Sequence, residues 1–270
     1  MALKAPRIVI WCGNAANQKA LANKIAKEFT VVGIVADTFS AKKRKRRLLD
    51  WPMIIADRLR FKKIYNAWTN LMGYYNSQFA EWPKVPLIKV TTINDPQTKT
   101  ITEEWKPDLI IVSGTALIKK PLIDIAVPIG ILNLHTGLSP YVKGGPNCTN
   151  WCIANNDLHL VGNTIMWLNA GIDTGNILTT ATVDITNAAD LDEAHRIVMD
   201  HAHTLYMDAI RHIASTTAPY QSVVQSSIDK GNLFMSKMWT SDKRRKLLVN
   251  WKKRADFKSS FVPKTISLPH

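Results

Sequence analysis

The chain has no run of about 18 or more apolar residues, so no transmembrane helix is expected. It opens Met1-Ala2-Leu3-Lys4-Ala5-Pro6-Arg7 and passes straight into Ile8-Val9-Ile10-Trp11, without the apolar core or cleavage site of a signal peptide. A cytoplasmic location is the expectation. Cysteine is scarce. Cys12, Cys148 and Cys152 are an odd number and form no Cys-x-x-Cys pair, which argues for buried reduced thiols over a disulfide framework or a zinc site. A Gly-x-Gly-x-x-Gly segment is missing, and the dinucleotide fingerprint with it. Neither an internal repeat nor a low-complexity linker interrupts the chain. Acidic residues are in short supply: 21 Asp+Glu face 35 Lys+Arg, for a net charge of +14. The surplus is local. Lys42 to Lys63 holds ten basic residues and two Asp, and Lys237 to Lys258 nine and two, which leaves the remainder at −1.

What is present is an alternation of short β-branched runs with helical stretches, in a chain of 270 residues that is 46% hydrophobic. Arg7–Cys12, Val31–Val35, Leu87–Val90, Leu109–Val112 and Gly130–Leu134 read as strands. A helix is expected from Asn17 to Phe29, another stretch ends at Trp105, and a third runs from about Asp190 to Ala214. Strands that are apolar without clean alternation are covered on both faces, as in a parallel α/β sheet. Two further β stretches, Gly162–Trp167 and Ile177–Ile185, precede the last of those helices. Residues 41–82 form a basic and aromatic insertion within a domain over 1–214. Residues 215–270 form a basic extension, in which Val223–Val224 and Leu233–Met235 suggest a hairpin around Asp229-Lys230-Gly231-Asn232, followed by a helix Ser241–Ala255.

Three segments carry candidate chemistry. Gly13-Asn14-Ala15-Ala16-Asn17 joins the first strand to a helix N-terminus, a place where free N–H groups gather on an anion; a plain turn explains it equally well. Asn133 and His135 lie two apart at the C-terminal end of a strand, so both project to one side. Ligands bind at such strand ends in open α/β sheets. An amide and an imidazole there suit polarising a carbonyl and moving a proton, unless they merely cap the strand. Asp173 sits between glycines in Asn169-Ala170-Gly171-Ile172-Asp173-Thr174-Gly175. It is either a turn-former or, if it reaches His135, the group that orients the imidazole. His195, His201 and His203 read as structural.

Asn133-x-His135 with Ser139-Pro140-Tyr141 behind it, followed by Asp173-x-Gly175-x-Ile177, resembles the folate-dependent formyltransferases. The likeness is strongest from Pro107 to Ala181 and extends loosely back to Arg7. It implies a Rossmann-like, mostly parallel sheet, N10-formyltetrahydrofolate as formyl donor, and Asn133, His135 and Asp173 as the catalytic triad. It also implies that the pterin contacts Gly114, Thr115, Ala116, Leu117 and Ile118, together with Gly171 and Ile172. Gly13, Asn14, Tyr141, Lys143 and Asn147 become candidate substrate contacts. On this pattern an amine attacks the formyl carbon, Asn133 and protonated His135 stabilise the oxyanion, His135 relays the proton, and Asp173 orients His135; no metal is needed.

Within that family, His135-Thr136-Gly137-Leu138-Ser139-Pro140-Tyr141, the insertion and Gly231-Asn232-Leu233-Phe234 most resemble the sugar N-formyltransferases. These act on nucleotide-linked amino sugars for surface polysaccharide biosynthesis. Glycinamide-ribonucleotide and methionyl-tRNA formyltransferases are the alternatives, and a binding module without catalysis is a further one. The charge suits a nucleotide diphosphate or an anionic membrane as well as RNA, and nucleic acid is the less favoured partner. Peripheral attachment at the inner membrane face through Lys42–Arg47, and a homodimer through 48–82, both stay open.

Overall fold

The computed structural model describes residues 5–39, 51–145 and 147–269; the basic block Lys42–Arg47 lies outside them. Strand β1 (Ile8–Gly13) is buried along its length, and successive residues serve opposite faces. Ile8, Ile10 and Cys12 join Leu21 and Ile25 of α1 (Ala16–Glu28) and Tyr206 and Ile210 of α7 (Leu191–Ser215). Val9 and Trp11 join Ile101 and Trp105 of α4 (Pro96–Trp105) on the other side. A strand apolar on both faces demands a helix layer over each, which parallel crossovers supply.

The sheet has seven strands, in the order β3 (Leu87–Val90), β2 (Val31–Asp37), β1, β4 (Leu109–Ser113), β5 (Gly130–His135), β7 (Gly162–Trp167) and β8 (Ile177–Thr182). The first five are parallel, β7 is antiparallel to β5, and β8 is antiparallel to β7. This is the mostly parallel Rossmann-like α/β fold expected. Its register brings strand ends together: Cys12 pairs with Ser113, Ser113 with Leu134, and Thr164 with His135. Two helix starts carry an aspartate cap, whereas α1 starts at Ala16, ahead of the expected Asn17, with no side-chain cap. Asp95 accepts from Gln97 N ahead of Pro96, and Asp190 accepts from Glu193 N.

The described part of the insertion is helical, α2 (Trp51–Arg60) and then α3 (Lys62–Gln78). Leu71 and Tyr75 of α3 pack with Ala20 and Met199, and the Tyr75 hydroxyl donates to Asp200 at 2.8 Å.

The expected hairpin does not form. Val223 bridges Ile177 in antiparallel fashion, while β9 (Asn232–Phe234) runs parallel to β6 (Val142–Gly144). The turn cannot fold back on Val223 because Gly231, at φ +66°, lies against the Pro140 carbonyl, and Asn232 N donates to Tyr141 O. The strand is thereby delivered to the segment that follows β5. Helix α8 (Ser241–Lys252) buries Leu247 and Trp251 with Cys152 and Ile153 of α6 (Cys148–Asn155). The chain end then returns to β8, where Thr180 N donates to Ile266 O and Ile266 N to Thr180 Oγ1, each at 2.8 Å.

Candidate active site

The end of β5 is held by a buried phenol. Tyr206 Oη accepts from Val112 N at 3.0 Å and donates to Leu132 O at 2.8 Å, bracing β4 and β5 one residue before Asn133. Two residues on, His135 is 7% exposed, and its Nδ1 lies 3.3 Å from Asp173 Oδ2. Asp173 sits in the loop between β7 and β8 at φ +50°. Gln225 fixes that loop by donating to the carbonyls of Asp173 and Gly175, and Gly144 N donates to Asp173 Oδ2 at 2.9 Å. The other imidazole nitrogen, Nε2, donates to Val142 O at 3.0 Å, with Cys148 Sγ 3.7 Å away.

The segment leaving His135 needs a glycine. A Cβ at Gly137 would run into the His135 ring. Thr164 fastens this turn, its hydroxyl donating to Gly137 O at 2.7 Å and accepting from Ser139 N at 2.9 Å.

Burial acts to lower the pKa of His135, but the Cys148 sulfur, the Asp173 carboxylate and the Val142 carbonyl outweigh it and raise the pKa from 6.5 to about 10. Nε2 donates to a carbonyl while Nδ1 lies against a carboxylate as an ion pair, surroundings that favour the imidazolium. At neutral pH the site therefore holds a cationic acid. His195, by contrast, is pushed down to about 4 by burial, so its neutral ring donates from Nε2 to Asn150 Oδ1 at 3.1 Å.

Asn133, His135 and Asp173 open into a cavity of about 1410 Å³, which is also lined by Gly114–Ile118, Gly171, Ile172 and Asn147. Four of the expected contacts are not brought to it. Gly13 lies beneath the Gly114 carbonyl and Asn14 is exposed beside it. Tyr141 is buried and accepts from Lys264 N, and Lys143 Nζ donates to Lys230 O. The cavity wall adds residues that sequence reasoning passed over: Arg58, Lys62, Tyr65 and Trp68 of the insertion, and His195 of α7. The signal for Arg58, Lys62 and Tyr65 was present, since spacings of four and three put them on one helical stripe. His201 and His203 are held inside the protein, by Asn163 and by Lys24.

The loop after β4 turns through Gly114 at φ +66° and is tied down by Ala116 N donating to Asp37 Oδ2 at 3.0 Å. Exposed Leu117 and Ile172 come from separate loops to the same cavity. Apolar surface beside ordered backbone suits a flat heteroaromatic ligand, and the folate implied by the sequence fits there. Among the described residues, no group of three or more His, Cys, Asp or Glu gathers to hold a metal ion.

At the C-terminal end of β5 an amide, an imidazole and, from the β7–β8 loop, a carboxylate come together, an arrangement able to polarise a carbonyl and move a proton. The chain belongs to the formyl transferase family, whose profile matches residues 7–210. A sugar N-formyltransferase from a Shewanella species shares the fold with a TM-score of 0.56 and 16% identity, over 98% of this chain and 99% of that one. An N-formyltransferase from Helicobacter canadensis, solved with folinic acid and dTDP-3-aminofucose, shares it at 0.56 and 16%, over 90% and 80%. Glycinamide ribonucleotide transformylase 1 from Symbiobacterium toebii gives 0.54 and 17%, over 82% and 94%. The methionyl-tRNA formyltransferase of Geotalea daltonii is 34% identical over 107 residues, 39% of this chain. That match spans about a third (33%) of the relative's length.

Proposed function

We propose that this chain transfers a formyl group from N10-formyltetrahydrofolate to the amine of a nucleotide-linked amino sugar, a building block for surface polysaccharide. The observation that carries this reading is the shared cavity. It is lined by Asn133, His135 and Asp173 and also by Arg58, Lys62, Tyr65 and Trp68. Cations beside aromatic rings suit a diphosphate joined to a base. The likeness to sugar N-formyltransferases, one of them solved with a dTDP-linked amino sugar, supports the same acceptor class.

N10-formyltetrahydrofolate, when bound, supplies the electrophilic formyl carbon; Gly114–Ile118 and Gly171–Ile172 would hold it. The Asn133 amide would donate to the formyl oxygen as negative charge gathers there, a role worth about 3–4 kcal/mol for one such donor. His135, already charged, adds an electrostatic contribution and a transferable proton. Asp173 holds the imidazolium and is itself held by Gly144 N.

A second reading is formylation of methionyl-tRNA, favoured by the 34% identity of the Geotalea segment. Turnover of N10-formyltetrahydrofolate with a panel of nucleotide amino sugars, glycinamide ribonucleotide and charged initiator tRNA separates the readings. Turnover with a nucleotide sugar and not with the others is expected. Turnover with tRNA alone would overturn the proposal.

A further inference from the structure

Helix α2 is turned inside out for a surface helix. Its inward row is Ile54 and Asp57, continued by the buried Phe61 and Ile64. With 3.6 residues per turn, the opposite ridge consists of Pro52, Ile55, Ala56 and Leu59. That ridge faces solvent and carries no polar side chain. Ile55 is 52% exposed and Leu59 70%, with Trp51 at 50% and Met53 at 71% on its flanks. No residue of α2 is buried. Solvent-facing positions on a helix are ordinarily polar, so an outward apolar ridge calls for a partner.

The charged residues of α2 and early α3 that stay on the surface beside the ridge are basic: Arg60 and Lys63 lie outside the cavity lining, while Arg58 and Lys62 belong to it. The single acidic residue of α2, Asp57, is turned inward, where Arg244 Nη2 meets it at 2.9 Å and Ser241 Oγ at 3.3 Å. The Arg244 guanidinium also lies 5.0 Å from the Phe61 ring centre. These contacts dock the N-terminal turns of α8 against the end of α2; there exposed Arg245 and Lys246 both pair with Asp242, at 3.5 and 3.4 Å, and together leave a surplus of one positive charge. Two basic segments more than 180 residues apart in sequence thus meet in space.

We propose that this face of α2, with the cations beside it, seats the protein on an anionic membrane surface. The partner must be apolar at its centre and negative at its rim. An acidic lipid bilayer meets both conditions, the ridge entering the acyl boundary and the cations meeting headgroup phosphates. A second copy of this chain would set like charges against each other. RNA would engage the cations and leave Met53, Ile55 and Leu59 in water. Among the described residues no helix is long and apolar enough to cross a membrane, so the contact is one of lying on the surface. The ridge adjoins the cavity wall, to which Arg58, Leu59 and Lys62 also belong. The inference does not rest on the reaction proposed above.

The test is sedimentation of the full chain with vesicles of phosphatidylcholine alone and of phosphatidylcholine with phosphatidylglycerol, over a range of salt. Binding only to the anionic vesicles, falling with salt, is expected. A Met53→Ser, Ile55→Ser double variant should lose binding by about tenfold or more. Arg60→Ala and Lys63→Ala should each weaken it about fivefold. None of these side chains lines the cavity, so thermal midpoint and formyl transfer to a soluble acceptor should stay at wild-type values. Absence of wild-type binding to anionic vesicles at low salt overturns the proposal, as does wild-type binding by the double variant. A dimer in analytical ultracentrifugation that the double variant dissolves would assign the ridge to a second copy. Retardation of tRNA lost in Arg60→Ala but kept in the double variant would assign the cations to RNA. Vesicle binding without any formyl transfer would sink the proposed reaction and leave the membrane surface standing.

Discussion

At the scale of the residue, His135 is gripped from both sides of its ring, by Asp173 Oδ2 at 3.3 Å and Val142 O at 3.0 Å. This arrangement favours the proton-loaded form and makes His135 an acid before it can be a base. Its pKa in the fold, about 10, lies above the ordinary 6.5. Its contribution to stability is therefore complete below about pH 6.5 and is lost as pH rises through about 10. Transfer should follow the same titration, with a plateau through neutral pH and an alkaline limb near 10. Cys148→Ala removes one of the groups that raise the pKa, and Asp173→Asn removes another; each should move the limb toward neutrality. A pH profile of kcat/KM checks both, and a limb that stays in place in both variants would refute the assignment. Asn133 and His135 were legible because a two-residue spacing at a strand end puts both side chains on one side. Cys148 was not. It reaches the ring only after the chain has passed through the tight turn at Gly137 and the parallel pairing of β6 with β9, neither of which leaves a local signature.

At the scale of the element, the sheet was legible nearly strand by strand, since apolar runs between turn residues report burial on two faces. Pairing across sequence was not. Asn232–Phe234 has the composition of a hairpin arm, and its true partner, Val142–Gly144, lies some 90 residues earlier and is only three residues long. Short strands carry too little pattern to announce a mate. Tyr206 is hidden for a similar reason. On α7 it occupies one apolar position among several, yet its hydroxyl completes the β4–β5 pair directly below the site. Tyr206→Phe leaves Val112 N without that acceptor in a fully buried setting. A loss of about 1–3 kcal/mol in urea unfolding is expected, together with a fall in kcat as Asn133 loses its brace. Unchanged stability would show that the strands can close the gap between themselves.

At the scale of the whole molecule, the neutral body and the two basic segments divide the labour. The triad belongs to the sheet, whereas Arg58, Lys62, Tyr65 and Trp68 reach the same cavity from the insertion. Net charge in the sequence could mark a wish for an anion, but not its location, because the wall forms only when α3 packs on α1 and α7. If that wall receives the diphosphate of the acceptor, its loss must appear in one kinetic constant and not in the others. Arg58→Ala and Lys62→Ala should each raise KM for a nucleotide-linked amino sugar by about tenfold, the value of one charge-assisted hydrogen bond. Neither should change KM for N10-formyltetrahydrofolate, whose candidate contacts lie on the loops after β4 and β7. With kcat preserved, the pattern is that of binding energy shared equally by ground and transition states. Steady-state kinetics with each substrate varied in turn make the distinction. A rise confined to the folate KM would place the donor, not the acceptor, against Arg58 and Lys62 and overturn the assignment.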